Sequence, residues 1–253
     1  MSFVDLAGGR VEYLRIDAAR SHSAPVVLLH EGLGSVAMWR DFPQRVAEAT
    51  ARSVVAYSRF GYGSSSPAPL PRPVSYMHNE ALQVLPQFLD ALGIARPILL
   101  GHSDGASIAL IYAGGSGRAV TGLIVMAPHV LVEAISVASI AHARRAYQRG
   151  TLRERLARYH QDVDAAFRGW NDAWLQPEFR PWNIEEYLPG ITCPVLAIQG
   201  ENDEYGTMEQ LRRITRTVKQ TEVLSLANCA HSPQRDQPEA VLEAIVRFVA
   251  PLG

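Results

Sequence analysis

The chain has 253 residues, 47% of them hydrophobic, enough to bury a full core; the length fits one large α/β domain as well as two small ones, and one domain carrying an insertion is the expectation. Lys and Arg (24) nearly balance Asp and Glu (25), giving a formal net charge of −1. This balance argues against nucleic acid or an anionic membrane surface as a partner, and leaves a small molecule as the expected one.

The N-terminal residues lack a basic start followed by an apolar stretch, and no segment is long enough to span a bilayer, so a cytoplasmic protein is expected. A homodimer is compatible with the composition. Cys193 and Cys229 are too few for a disulfide framework, lack the spacing of a zinc or redox motif, and read as buried small hydrophobes. No metal site and no cofactor are expected.

Residues 3–16 read as two short strands around Gly8-Gly9, a hairpin at a sheet edge. Pro25 then introduces Val26-Val27-Leu28-Leu29-His30, a continuous apolar run typical of a parallel strand buried on both faces. The loop after it, Glu31-Gly32-Leu33-Gly34-Ser35, satisfies the minimal dinucleotide-binding fingerprint. The next strand, Ser53 to Tyr57, ends in Ser58-Arg59 with no acid to hold a ribose hydroxyl, so that reading fails. A zinc-protease reading of His30-Glu31 fails as well, because position 34 is glycine. A glycine-rich turn, Arg59 to Pro67, and a proline-rich connector, Pro67 to Pro73, lead into a helix predicted from Tyr76 to Leu92 and ended by Gly93.

Pro97 starts the next strand, which runs through Ile98-Leu99-Leu100 into Gly101-His102-Ser103-Asp104-Gly105. The chain then passes at once into small and apolar residues with helical spacing over 104–113. Ser103 therefore sits at the apex of a sharp strand-to-helix turn, at positive φ, with glycines leaving room on either side. The turn lifts the hydroxyl clear of the sheet and aims the first N–H groups of the helix at a developing negative oxygen, as an acyl-transfer nucleophile requires.

Another strand follows at Gly122 to Ala127. Strand and helix alternate in this way only in a mostly parallel, doubly wound sheet. Then the alternation stops. Residues 129–190 carry helical runs (Glu133 to Tyr147, Leu152 to Tyr159, Val163 to Trp174) and hold Trp170, Trp174 and Trp182, the pattern of a lid over a pocket at the carboxyl ends of the strands. His129, which opens the insertion, and Glu31, Trp170 and Trp174 are candidates for binding substrate. The sheet resumes at Cys193 to Gln199 and again at Thr221 to Leu226, and a closing helix runs from Pro238 to Val249. The core is thus expected at 1–128 and 191–253, with the cap at 129–190.

A serine needs a base within hydrogen-bond reach, and the base needs a third group to fix its tautomer. Of the eight histidines, His30 and His102 occupy strand ends whose side chains should point away from the reacting face. His22, His78, His142 and His160 fall on surface or insertion segments. His231 lies in the loop after the final strand, downstream of a strand-end carboxylate. Asp203, in Gly200-Glu201-Asn202-Asp203, suits that carboxylate better than Glu201 or Glu204.

Together, Gly101-His102-Ser103-Asp104-Gly105, the His30-x-Gly32-Leu33-Gly34 loop, Arg59-Phe60-Gly61-Tyr62-Gly63-Ser64, Gly200-Glu201-Asn202-Asp203 and His231-Ser232-Pro233 with Pro238-Glu239 resemble the successive signatures of the α/β-hydrolase superfamily. The resemblance implies an eight-stranded, mostly parallel sheet with a helical cap inserted before the last two strands. It implies Ser103 as nucleophile, Asp203 as acid and His231 as base, and an oxyanion hole from the N–H of Asp104 with that of Gly32, or of Leu33. The implied activity is a serine hydrolase of small carboxylic esters; a lactonase, a carbon–carbon bond hydrolase and a slow-turnover ligand receptor are the alternatives.

Two positions depart from the pattern. Glu31 stands where the family usually has glycine, and is expected to turn away from the oxyanion or to pair with a base such as Arg59. Ser58 stands where the family often has aspartate, at the expected cost of a structural hydrogen bond.

Overall fold

Alternating apolar runs and turns assemble into a single eight-stranded sheet in the computed structural model, which describes residues 2–18 and 23–253; His22 lies outside them. The strands are β1 (Ser2–Leu6), β2 (Gly9–Ile16), β3 (Val26–Leu29), β4 (Val54–Tyr57), β5 (Ile98–His102), β6 (Gly122–Met126), β7 (Val195–Gly200) and β8 (Thr221–Leu226). Their order is β1-β2-β4-β3-β5-β6-β7-β8. The hairpin β1–β2 joins β4 antiparallel at one edge, and all other pairings are parallel. β3 is followed by β4 on one side and β5 on the other, so the strand order reverses between β3 and β5. In such sheets the crevice that binds ligands opens at the carboxyl ends of these strands.

The helices are α1 (Phe42–Thr50), α2 (Tyr76–Asn79), α3 (Leu85–Ala91), α4 (Asp104–Gly115), α5 (Ala134–Gln148), α6 (Thr151–Leu156), α7 (Val163–Leu175), α8 (Glu209–Thr217), α9 (Pro233–Asp236) and α10 (Pro238–Val249). Alternate strand residues face opposite layers. Val26, Leu28, Ile98 and Leu100 pack with α1 and α10. Val27, Leu29, Leu99 and Val125 pack with α3, α4 and α8. α4 is buried from Asp104 to Tyr112, which explains why it is apolar on every side. Apolar side chains of α6 and α7, among them Leu156, Phe167 and Trp174, join this second layer.

The helix predicted over 76–92 forms, but with one wide π turn at Glu80–Val84 between α2 and α3. Pro86 follows that turn and has no N–H to give to the preceding one, so the regular ladder is interrupted there. The sequence reading missed α1 and α8. α8 buries only Gln210, Leu211 and Ile214, too few apolar positions to mark a helical period.

The tightest backbone contact in the crevice is made by Gly105. A Cβ there would lie 2.0 Å from the carbonyl oxygen of Leu29. Because that neighbour is backbone at the end of β3, it cannot move aside without shifting the sheet. Gly105→Ala is therefore expected to cost about 3 kcal/mol or more, read as the shift in the midpoint of a urea or thermal unfolding curve. An unfolding midpoint unchanged from wild type would show that the contact is not needed.

Candidate active site

β5 ends at His102 and α4 begins at Asp104, so Ser103 alone makes the turn, at φ 54° and ψ −118°. A non-glycine residue held there costs about 1–3 kcal/mol and persists only where its surroundings fix it. They do so here: the Ser103 N–H donates to Met126 O (2.9 Å) and the Ser103 carbonyl accepts from the N–H of Ala106 (2.9 Å). A Cβ on Gly101 would lie 2.3 Å from Gly105 O, so the small residues on either side are required by close approach rather than by φ.

Asp203 and His231 come from the loops after β7 and β8, and these loops are fastened to each other. The Asn202 N–H donates to Cys229 O (2.9 Å) and the Glu201 N–H to Leu226 O (2.9 Å). A Cβ on Gly200 would lie 2.3 Å from Cys229 O, so glycine is needed for the two strand ends to meet. The result is a hydrogen-bonded chain: His231 Nε2 is 2.9 Å from Ser103 Oγ, and His231 Nδ1 is 2.8 and 2.9 Å from the two carboxylate oxygens of Asp203.

The Asp203 carboxylate also accepts from Gln199 Nε2 (2.6 Å) and from the N–H groups of Tyr205 (2.7 Å) and Gly206 (3.2 Å). Burial works against its charge, but the His231 contact and the hydrogen bond from the Tyr205 N–H hold its pKa below the ordinary carboxylate value. The two acids weighed against it lie elsewhere: Glu201 accepts from Ser225 Oγ, and Glu204 accepts the backbone N–H of His231.

Across the crevice, the turn after β3 is closed by the Gly34 N–H donating to Glu31 O (3.0 Å). The N–H groups of Gly32, Leu33 and Asp104 donate to no described residue, and all three residues line a cavity of about 110 Å³ together with Ser103 and His231. Glu31 also lines it. Arg59 is not the partner of its carboxylate: Arg59 Nη2 donates to the backbone oxygen of Glu31 (2.9 Å), while the Glu31 carboxylate meets Arg235 Nη2 (3.3 Å) and His102 Nδ1 (3.5 Å). The reason is reach, since Arg59 is drawn beneath the turn toward Asp104 (3.9 Å). Burial opposes the charge on Glu31, yet His102 and Arg235 keep its carboxyl well below the usual carboxylate range.

Ser58 retains the structural hydrogen bond expected to be lost: its Oγ donates to Glu12 Oε2 (2.7 Å) and accepts from the Val36 N–H (2.9 Å).

His129, Trp170 and Trp174 line the cavity. A Cβ on Gly32 would lie 2.1 Å from Trp170 Nε1, so the indole rests directly on the turn. Trp174 Nε1 donates to Tyr76 Oη (3.0 Å), whose hydroxyl donates to Asp104 Oδ2 (2.5 Å), so one oxygen of the Asp104 carboxyl is held beneath the helix. Burial pushes that carboxyl up and Arg59 opposes the rise. His129 packs edge-on to Trp174, and burial together with the nearby His231 lowers its pKa to about 3, so it stays neutral.

Two lining residues escaped the sequence reading, Ile140 on α5 and Tyr205, whose ring centroid lies 4.6 Å from that of His231. Tyr205 stands two positions after Asp203, a proximity that could have flagged it. His160 is not a solvated surface residue. It is buried, takes the Gly63 N–H at Nδ1 (3.1 Å) and bonds Leu33 O through Nε2 (2.9 Å), tying the inserted segment to the turn after β3. His30 and His102 make no hydrogen bond to Ser103; His30 accepts the Arg59 N–H (3.1 Å), and His102 Nε2 bonds His231 O (2.7 Å).

Burial pushes both cysteines up to about 11, leaving them as thiols. Among the described residues no group of three or more His, Cys, Asp or Glu side chains could hold a metal ion, and no helix is long and apolar enough to cross a membrane.

Comparison with known proteins agrees with this architecture. A proline iminopeptidase of Lactobacillus crispatus (strain ST1) is 35% identical over 104 residues, 41% of this chain; the match spans only 35% of that relative's length. Among solved structures, an alpha/beta hydrolase enzyme from a Medee basin deep-sea metagenome library superposes with a TM-score of 0.80 at 20% identity, covering 100% of this chain and 98% of the other. The enol-lactonase of Burkholderia xenovorans LB400 gives 0.78 at 19% identity, covering 98% and 100%. Likeness at such identities concerns the fold. The sequence model of the alpha/beta hydrolase family matches residues 26–244, most of the chain and all of β3 through β8. With that match and the sheet order described above, the chain belongs to the alpha/beta hydrolase family.

Proposed function

We propose that this chain is a cofactor-independent serine hydrolase of small carboxylic esters. The observation that carries the reading is the continuous hydrogen-bonded chain from Ser103 Oγ through His231 to Asp203 at one end of the sheet. With Asp203 accepting the Nδ1 proton, His231 presents a bare Nε2 to the serine hydroxyl and serves as its base. As Ser103 Oγ attacks the ester carbonyl carbon, His231 takes the hydroxyl proton. The carbonyl oxygen becomes negative opposite the N–H of Asp104 and that of Gly32, or of Leu33. Collapse expels the alcohol, protonated by His231, and leaves an acyl group on Ser103. Water, deprotonated by the same imidazole, then releases the acid and restores the serine.

The cavity of about 110 Å³, walled by Trp170, Trp174 and Ile140, suits a short acyl group, and the inserted segment at 129–190 acts as its lid. A second reading, hydrolysis of an N-terminal amide, is favoured by the identity to a proline iminopeptidase and limited by the short stretch over which it extends. A ligand receptor with vestigial turnover would show one slow event and tight retention instead of steady turnover.

Ser103→Ala is expected to lower turnover of 4-nitrophenyl acetate by about a thousandfold or more and to abolish labelling by a fluorophosphonate; Asp203→Asn should lose about a hundredfold or more in kcat. Retained turnover in Ser103→Ala would end the esterase assignment, and faster cleavage of proline 4-nitroanilide than of every ester in a panel of acyl lengths would replace it with the amidase reading. Trp170→Ala is expected to shift kcat/KM toward hexanoyl over acetyl esters by about tenfold, the scale of a few methylenes in an apolar pocket; an unchanged chain-length profile would show that Trp170 does not bound the acyl site.

A further inference from the structure

A second concavity, a groove of about 310 Å³, adjoins the catalytic cavity through Leu33, which lines both. Four of the nine residues lining the groove are arginines, Arg40, Arg155, Arg158 and Arg235; the others are apolar or tyrosine, and none is acidic. They come from three separate pieces of chain: the segment after β3, the end of α6 with the turn beyond it, and α9 just after His231. Arg235 links the two spaces: it lines the groove, and its guanidinium meets the carboxylate of Glu31, which lines the catalytic cavity (3.3 Å). Arg40, Arg155 and Arg158 make no ion pair with any described residue. Arg40 is also held at φ 54° and ψ −123°, nearly the backbone conformation of Ser103, in a region that non-glycine residues rarely occupy.

Three guanidinium groups without an ion-pair partner, beside a fourth that already meets Glu31, repel one another around one concavity unless a counter-charge sits among them, and their planar forks match carboxylate or phosphate oxygens. The apolar side chains between the arginines, Leu33, Leu152 and Leu156 among them, suit a short hydrocarbon chain, and Leu33 also lines the cavity that holds Ser103. We infer that this groove binds the anionic end, carboxylate or phosphate, of the substrate whose ester is presented to Ser103. The inference rests on the hydrolase reading for the position of the ester; the anion site itself stands on the groove. Substrate selection would then be divided, with the tryptophan-walled cavity measuring the acyl group and the arginine groove reading a charge at its far end.

The test compares wild type with Arg155→Gln/Arg158→Gln, in which both changed side chains are exposed in the native fold, and with Arg247→Gln on the exposed side of α10 as a control. One measurement is the ratio of kcat/KM for 4-nitrophenyl monoesters of glutaric, adipic, suberic and sebacic acids to that of their methyl-capped neutral counterparts. The other is calorimetric binding of octanoate and octyl phosphate to the same proteins carrying Ser103→Ala.

Wild type should prefer one charged ester length by about tenfold or more, and the double variant should bring the ratio to within about twofold of unity while Arg247→Gln leaves it high. Octanoate or octyl phosphate should bind about tenfold more weakly to the double variant, and the tighter of the two names the preferred anion. Hydrolysis of neutral and charged esters alike, with anion binding equal in wild type and variant or absent from both, would overturn the groove proposal and leave the hydrolase reading standing. Arginine-dependent anion binding without Ser103-dependent hydrolysis of any ester would retain the anion site and remove the hydrolase reading instead.

Discussion

At three places around the site the backbone approaches itself more closely than any side chain would allow. Gly105 lies against the carbonyl of Leu29, Gly101 against that of Gly105, and Gly200 against that of Cys229. The first two press α4 onto the ends of β3 and β5 and so hold Ser103 in its strained turn. The third brings the loops after β7 and β8 together, which sets Asp203 against His231. The proposed catalytic geometry thus depends on missing Cβ atoms in the backbone beneath it, and the three reactive side chains inherit their positions from that packing.

The electrostatics of the crevice are unusual in having two carboxyl groups beside the place where an oxyanion would form. Each is dealt with differently. Asp104 directs its carboxyl under α4 to the Tyr76 hydroxyl, with Arg59 nearby, and burial favours its neutral form. Glu31 stays ionised at the cavity wall, where Arg235 and His102 offset its charge. His102 is joined in turn to the backbone of His231, so the same cluster that quiets Glu31 also supports the loop carrying the proposed base. Neutral His129 adds no charge of its own to the pocket.

The inserted segment does not sit over the sheet as a detached piece. Phe167, Trp170 and Trp174 belong to the same buried cluster as α4 and the central strands, and His160 bonds both the turn after β3 and the glycine-rich turn after β4. Trp170 resting on Gly32 places a wall of the cavity within contact of the proposed oxyanion turn. A change in how this segment packs would therefore alter the reacting geometry as well as the room for substrate, which links specificity and rate in one set of contacts.

Features written in short stretches of chain were legible in the sequence. The apolar runs of β3, β5, β6 and β7, the strand-to-helix turn at Ser103 and the positions of Asp203 and His231 after their strands are local patterns, governed by period, glycine placement and chain order. What depends on side chains meeting from distant segments was not legible there. The pairing of Glu31 with Arg235 instead of Arg59, the burial of His160, the packing of the Tyr205 ring against His231 and the gathering of four arginines beside Leu33 were decided only by the tertiary structure. The physical reason is range. A backbone turn is specified by its own few residues, whereas the partner of a long, flexible side chain is whichever group of opposite character the folded layers bring within reach.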